Sequence, residues 1–315
     1  MLMRSAFHLA STRGGAPRLN IFVFHRVLPA PDPLFPDEVD TVAFDRMLGW
    51  IASWFRILPL ADGIAQLRRG ELPARAAAIT FDDGYADNLT QALPILQRHH
   101  APATLFVATG FLDGGRMWND TVIEAVRRTP LTHLDLGAID MGRVAVGSVA
   151  EKRRAIGELI PRIKHLPPLA RERHVAAVAE ASQATLPDDL MMASAQLREW
   201  HRAGMGVGAH TVTHPILATT DAETARQEML DSKRWLEALL GERIGLFAYP
   251  NGKPGQDYRA EHAGLAADVG FDAALATVWG AARRDSDVFQ LPRFTPWDRT
   301  KYRFGARLLQ NLLSS

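Results

Sequence analysis

Short apolar runs alternate with amphipathic stretches from one end of this 315-residue chain to the other. No other feature narrows the fold so much. Strand-like runs stand near 20–25, 56–58, 77–81, 103–107, 206–209, 245–249 and 272–276. Helical periodicity fills intervals between them, for example over 44–54, 86–99 and 221–240. The last pattern reads as opening on a capping box, Thr220 with Glu223, and stopping at Gly241. Repeated strand–helix alternation predicts an α/β fold with a mostly parallel sheet, open or closed into a barrel.

Two segments break the rhythm. Residues 28–39, LPAPDPLFPDEV, hold four prolines and predict a long loop after the first strand, a wall or lid beside a site or a plain connection. Residues 118–203 show helical patterns without a core strand and read as a helical insertion within one domain spanning 1–315. No internal repeat or low-complexity linker divides the chain.

The stretch ITFDDGYADN, residues 79–88, ends an apolar strand in two adjacent carboxylates, Asp82 and Asp83. Two like charges side by side disfavour each other, so the pattern calls for a nearby cation. In GVGAHTVTHP, residues 206–215, His210 and His214 stand at i and i+4. That spacing brings two imidazoles together on one turn, and Pro215 favours a tight turn over a long helix. Both motifs follow strand patterns, and the carboxyl ends of parallel strands share one rim. Two histidines and one carboxylate form a three-ligand catalytic zinc set, and the second carboxylate then stands beside the bound water as its base. With no cysteine in the chain, a transition metal here must be held by His and carboxylate. The plainer alternatives are packed or surface histidines, and Asp83 or Asp87 as an N-cap of the helix that begins near Ala86. A net charge of +1 gives no pull toward nucleic acid, so no such partner is expected.

TFDDG followed far downstream by H-T-x-x-H resembles the polysaccharide deacetylase (NodB-homology) family, carbohydrate esterase family four, over roughly residues 20–295. The resemblance implies a distorted (β/α) barrel of about seven parallel strands. It also implies a divalent metal, most often Zn2+ with Co2+, Ni2+ or Mn2+ as alternatives, and removal of acetyl groups from N-acetylated sugars. Carried over, Asp82 matches the general base, while Asp83, His210 and His214 match the metal ligands. FAYPNG, residues 247–252, is similar to a third motif that shapes one wall of the groove. Pro250 and Gly252 match it. Ala248 stands where many members have an Arg that braces the base, and Asn251 where many have an aromatic residue.

The family's C-terminal Leu-x-x-His, which supplies the general acid, is not visible. His262 falls in a helical pattern over 256–269 and reads as a surface residue. Two substitutes are expected, and similar features occur in one branch of the family. His25, at the end of the first strand in FVFHRV, would protonate the leaving amine. Arg293, in LPRF, would replace the missing brace of Asp82. The alternatives are a packed core histidine and a surface salt bridge.

The implied reaction is metal-assisted amide hydrolysis. Coordination lowers the pKa of water from 15.7 toward roughly 7, Asp82 takes its proton, and the metal with a backbone N–H stabilises the tetrahedral oxyanion. Tyr85, after the Asp pair, and Trp118, after Gly114-Gly115, are candidates for sugar contact; Trp118 has insertion packing as its alternative. The expected partner is an N-acetylated glycan or a lipid- or nucleotide-linked sugar. A signal-peptide apolar region and any run of about 18 apolar residues are both missing, so the expected location is cytoplasmic. The tail 302–313, with Arg303 and Arg307 flanking leucines, reads as an amphipathic helix for barrel closure, for a second subunit, or for peripheral contact with the inner membrane face. An amidohydrolase acting on a non-sugar amide and a degenerate carbohydrate-binding protein are the competing functions.

Overall fold

All seven expected strand runs pair into one parallel sheet in the computed structural model of the chain, which describes residues 2–12 and 17–314. In chain order the strands are β1 (Leu19–Phe24), β2 (Arg56–Ile57), β3 (Ala76–Phe81), β4 (Ala103–Val107), β5 (His133–Leu136), β6 (Gly142–Ala145), β7 (Gly206–Ala209), β8 (Leu246–Ala248) and β9 (Ala273–Leu275). The sheet order is β1-β3-β4-β7-β8-β9, with β2 pairing the start of β3. β5 and β6 form a separate antiparallel hairpin.

The curled sheet is a distorted α/β barrel. Leu291 bridges β9 at Leu275, and Phe294 bridges β1 at Phe22, so the segment after β9 spans the gap between the first and last strands. Side-chain alternation along each strand then divides the core. Leu19, Ile21, Ala76, Ala78, Phe106, Leu246, Ala248, Ala273 and Leu275 share the inner cluster. Phe22, Phe24, Ile79, Phe81, Leu105, Val207 and Phe247 face the surrounding helices. Small residues inside make room for one large ring. A Cβ on Gly208 would lie 2.4 Å from the Phe106 ring, so glycine is required where the two strands crowd.

Local signals explain the helix ends. Thr41–Trp54 starts before the expected 44 because the Asp40 carboxylate accepts from the Ala43 N–H at 2.7 Å. The helix Ala222–Leu240 stops at Gly241 in the left-handed region, as expected. Its cap differs: Asp221, not Thr220, accepts from Thr224 N–H, while the Thr220 hydroxyl donates back to Leu217 C=O. The pattern over 86–99 divides into a π-helical turn, Asn88–Ala92, and the helix Leu93–Arg98. Pro94 carries no N–H for an unbroken α-helical ladder there.

Packing divides the chain into two compact units. The barrel comprises Met1–Ala30, Val39–Leu112 and Met192–Ser315. Within it the C-terminal helix Lys301–Leu313 turns Phe304, Leu308 and Leu312 into the core and leaves Tyr302 exposed. The second unit, Pro31–Glu38 with Asp113–Met191, contains helices Trp118–Arg128, Val149–Lys164 and Pro168–Ser182 and the β5-β6 hairpin. Leu34 and Phe35 of the proline-rich loop join that unit's apolar cluster, and Asp32 pairs with Arg127 at 2.6 Å. The helix Ser194–Arg202, inside the stretch read as an insertion, packs with the barrel. Among the described residues, no helix is long and apolar enough to cross a membrane.

Candidate active site

β3 and β7 deliver their motifs to one point by the same device. Each strand continues its ladder one residue past its end: Asp82 N–H donates to Phe24 C=O and His210 N–H to Val107 C=O, both at 3.0 Å. Asp82 therefore follows the inward parity of Ala78 and Thr80, and His210 that of Gly206 and Gly208. The chain then breaks into left-handed conformations at Asp83 (φ 76°), Thr211 (φ 66°) and His214 (φ 52°). Non-glycine residues in that region are uncommon and concentrate at functional sites. The tight turn expected from Pro215 is present, and the Thr211 hydroxyl accepts from His214 N–H at 3.1 Å.

The result is a buried cluster of Asp83, His210 and His214. Asp83 Oδ1 lies 3.4 Å from Nε2 of both imidazoles, yet this buried oxygen has no hydrogen-bond partner. A buried carboxylate oxygen left in this state is costly unless something else meets it. His210 Nδ1 stands 2.7 Å from Ala248 C=O. Donation there fixes the proton on Nδ1 and leaves the Nε2 lone pair directed at Asp83. Burial, the largest influence on His214, lowers its pKa to about 4, so its imidazole is neutral at neutral pH. Burial opposes the charge of Asp83, and positive charge on the neighbouring imidazoles, or a cation in its place, outweighs burial and holds the carboxyl below its ordinary range. A carboxylate, two imidazoles and an orphaned oxygen between them fit a divalent cation; they are the three residues expected to bind it.

Asp82 is held differently. Arg293 reaches it in a two-pronged pair, Nη1 to Oδ1 at 2.7 Å and Nη2 to Oδ2 at 2.8 Å. Arg293 Nε donates to Ala276 C=O at 3.1 Å, and the side chain is 0% exposed. Burial would raise the Asp82 pKa, but Arg293 leads the opposing charges and the net direction is down. The surface salt-bridge alternative for Arg293 is thereby removed.

His25 is exposed at the end of β1, so it is not a packed core histidine. Its charge contributes to the field on Asp82, Asp83 and His214, after larger influences. Asn88 and Asp87, whose roles the sequence did not show, pin its loop. Asn88 Nδ2 donates to His25 C=O at 2.8 Å, and Asp87 accepts from Val27 N–H at 3.1 Å and Arg26 Nε at 2.8 Å. Neither Asp83 nor Asp87 caps the following helix. The Asp87 carboxylate is taken up by Val27 and Arg26, and that of Asp83 faces the two histidines.

Other expected positions fare unevenly. Pro250 and Gly252 are buried, and Asn251 (φ 59°) is half-buried. Gly252 (φ 78°) is required, because a Cβ there would lie 2.5 Å from Thr277 Oγ1. Tyr85 is 4% exposed with the Arg26 guanidinium 4.7 Å above its ring, so that face is already covered. Trp118 packs on the apolar cluster of the second unit, with Arg171 5.7 Å over its ring. His262 is a correction: it is fully buried, because Nδ1 accepts from Arg259 N–H at 2.9 Å and draws the ring into the helix start.

Fold and site together define an α/β barrel with a carboxylate–histidine centre at the carboxyl ends of its strands. The family model described as Polysaccharide deacetylase matches residues 69–133 and 166–274, more than half of the chain, and the chain belongs to that family. Its relative YxkH of Bacillus subtilis (strain 168) is 20% identical over 278 residues, covering 88% of this chain and 70% of that one. Among solved structures, the Streptococcus pyogenes deacetylase PplD in complex with acetate superposes with a TM-score of 0.63 at 21% identity, covering 94% of this chain and 99% of that one. IcaB from Ammonifex degensii gives 0.59 at 17% identity, over 94% and 97% of the two chains. At these identities the structural likeness speaks for the fold.

Proposed function

We propose that the protein is a metal-dependent N-deacetylase that hydrolyses the N-acetyl amide of an N-acetylated sugar and releases acetate. The observation that carries this reading is the orphaned Asp83 Oδ1 between two imidazole Nε2 atoms, beside a second carboxylate braced by a buried arginine. Asp83, His210 and His214 would hold a divalent metal, which would supply Lewis acidity to water and to the acetyl carbonyl. Asp82, kept ionised by Arg293, takes the proton of the attacking water. His25 delivers a proton to the departing sugar nitrogen, which cannot leave as an amide anion. Pro250, Asn251 and Gly252 form part of the wall against which the sugar lies. Acetate, the small molecule in the PplD complex, is the product this reaction releases. Family membership also favours a sugar amide over the non-sugar alternative.

The test is acetate release from polymeric, nucleotide-linked and lipid-linked N-acetylhexosamine substrates, with Zn2+-loaded and chelated protein. Release is expected only with metal, and the substrate released fastest identifies the linkage class. Stoichiometric metal with no release from any of them would move the assignment to a non-sugar amide or to glycan binding alone. Membrane contact gains no support from the C-terminal helix, whose apolar face is packed into the core.

The acid is tested separately. His25→Ala is expected to slow amide hydrolysis about 100-fold and to slow an activated aryl acetate, whose leaving group departs unprotonated, by no more than about threefold. Equal losses on both substrates would assign the proton to another group.

A further inference from the structure

The turn that presents His210 and His214 is gripped by a residue on the following helix. Glu228, on Ala222–Leu240, accepts from the backbone N–H groups of Val212 and Thr213, each at 2.8 Å, through Oε2. Its Oε1 accepts from the Thr213 hydroxyl at 2.6 Å. One carboxylate thus satisfies three donors of the two histidine ligands' shared turn. The turn is also held through its carbonyls: Thr109 N–H and Gly110 N–H donate to Thr211 C=O and Val212 C=O at 3.1 and 2.8 Å. The turn contains two left-handed non-glycine residues, Thr211 and His214, a conformation that persists only where surrounding contacts over-determine it. The helix has the rigidity to supply them: Asp221 caps its start, and Ala225, Met229 and Leu236 anchor it in the core.

We infer that Glu228 is a positioning residue that holds the His210–His214 turn in its metal-ready conformation before any metal arrives. This rests on the metal reading given above. Outer groups that orient metal ligands typically change metal affinity about 10- to 100-fold when removed. Reach, not charge, is the property at issue. Glutamine keeps the reach: its Oε1 can accept from both backbone N–H groups while its NH2 donates to Thr213 Oγ1. Aspartate keeps the charge on a side chain one methylene too short to meet the turn.

The experiment measures the Zn2+ dissociation constant by competition with a chelating indicator, for the unaltered protein and for Glu228→Ala, Glu228→Asp, Glu228→Gln and Asp221→Ala. The last weakens the same helix at its cap without touching the turn. Zn2+ binding about 10- to 100-fold weaker in the Ala and Asp variants is expected, with the Gln and Asp221 variants within about threefold of the unaltered protein. Should Glu228→Ala not fold, the Asp–Gln comparison decides alone. Affinity unchanged in Glu228→Asp, or lost equally in Asp221→Ala, would overturn the inference while leaving the ligand set intact. Failure of the unaltered protein to bind Zn2+ would overturn the metal reading and this inference with it.

Discussion

Asp82→Asn is expected to lower acetate release by about 10²- to 10⁴-fold and to leave metal binding in place, as befits a general base that is not a ligand. The side chains are nearly isosteric, and Arg293 still has an amide oxygen to donate to. What disappears is the ability to take a proton, together with the counter-charge and one prong of the buried Arg293 pair, so the variant should also be less stable. The counterpart is His210→Ala, which removes an imidazole fixed by Ala248 C=O and should lose metal and turnover together. Metal stoichiometry and kcat, measured on both variants, separate the two roles. Turnover within about threefold of the unaltered protein in Asp82→Asn would transfer the base to another group. Full metal stoichiometry in His210→Ala would remove it from the ligand set.

Arg293→Ala has the largest expected effect on stability. Asp82 and Arg293 are 4% and 0% exposed, so deleting the guanidinium leaves a carboxylate without its partner in a dry interior. Breaking a buried pair in this way costs about 3–5 kcal/mol. For a chain of this size that corresponds to a Tm lower by on the order of 10 °C. Turnover should fall as well, because a buried unpaired Asp82 favours the protonated form, which cannot act as a base. Arg293→Lys restores charge without the two-pronged geometry, and should recover stability better than rate. Thermal melts with acetate-release assays check both. An unchanged Tm in Arg293→Ala would mean that the pair contributes nothing to folding.

Much of this was legible along the chain because it depends on short-range rules. Short apolar runs announced the seven strands of the parallel sheet, though not the β5-β6 hairpin, Gly241 announced a helix end, and Pro215 announced the turn at His214. Where the local signal was shared between neighbours, the reading slipped: Thr220 and Asp221 are both good caps, and only the backbone geometry chose Asp221. Burial was the least readable property. His262 occupies a polar-looking helical pattern yet is enclosed, and the aromatic Tyr85, placed by sequence beside the reaction, is covered by Arg26.

The sequence by itself determined the chemistry that the protein can support. It contains no cysteine, two adjacent aspartates at the end of a strand, and two histidines four residues apart at the end of another. Strand periodicity of two also sets which of these side chains face inward. The resemblance named Arg293 as the brace of Asp82, but only the tertiary structure chose between that and a surface salt bridge. Arg293 meets Asp82 across 211 positions of chain because the segment after β9 closes the barrel beside β1. Glu228 grips the histidine turn because its helix packs back over β7. Pairings of that kind follow from how layers close on one another, and no local period in the chain encodes them.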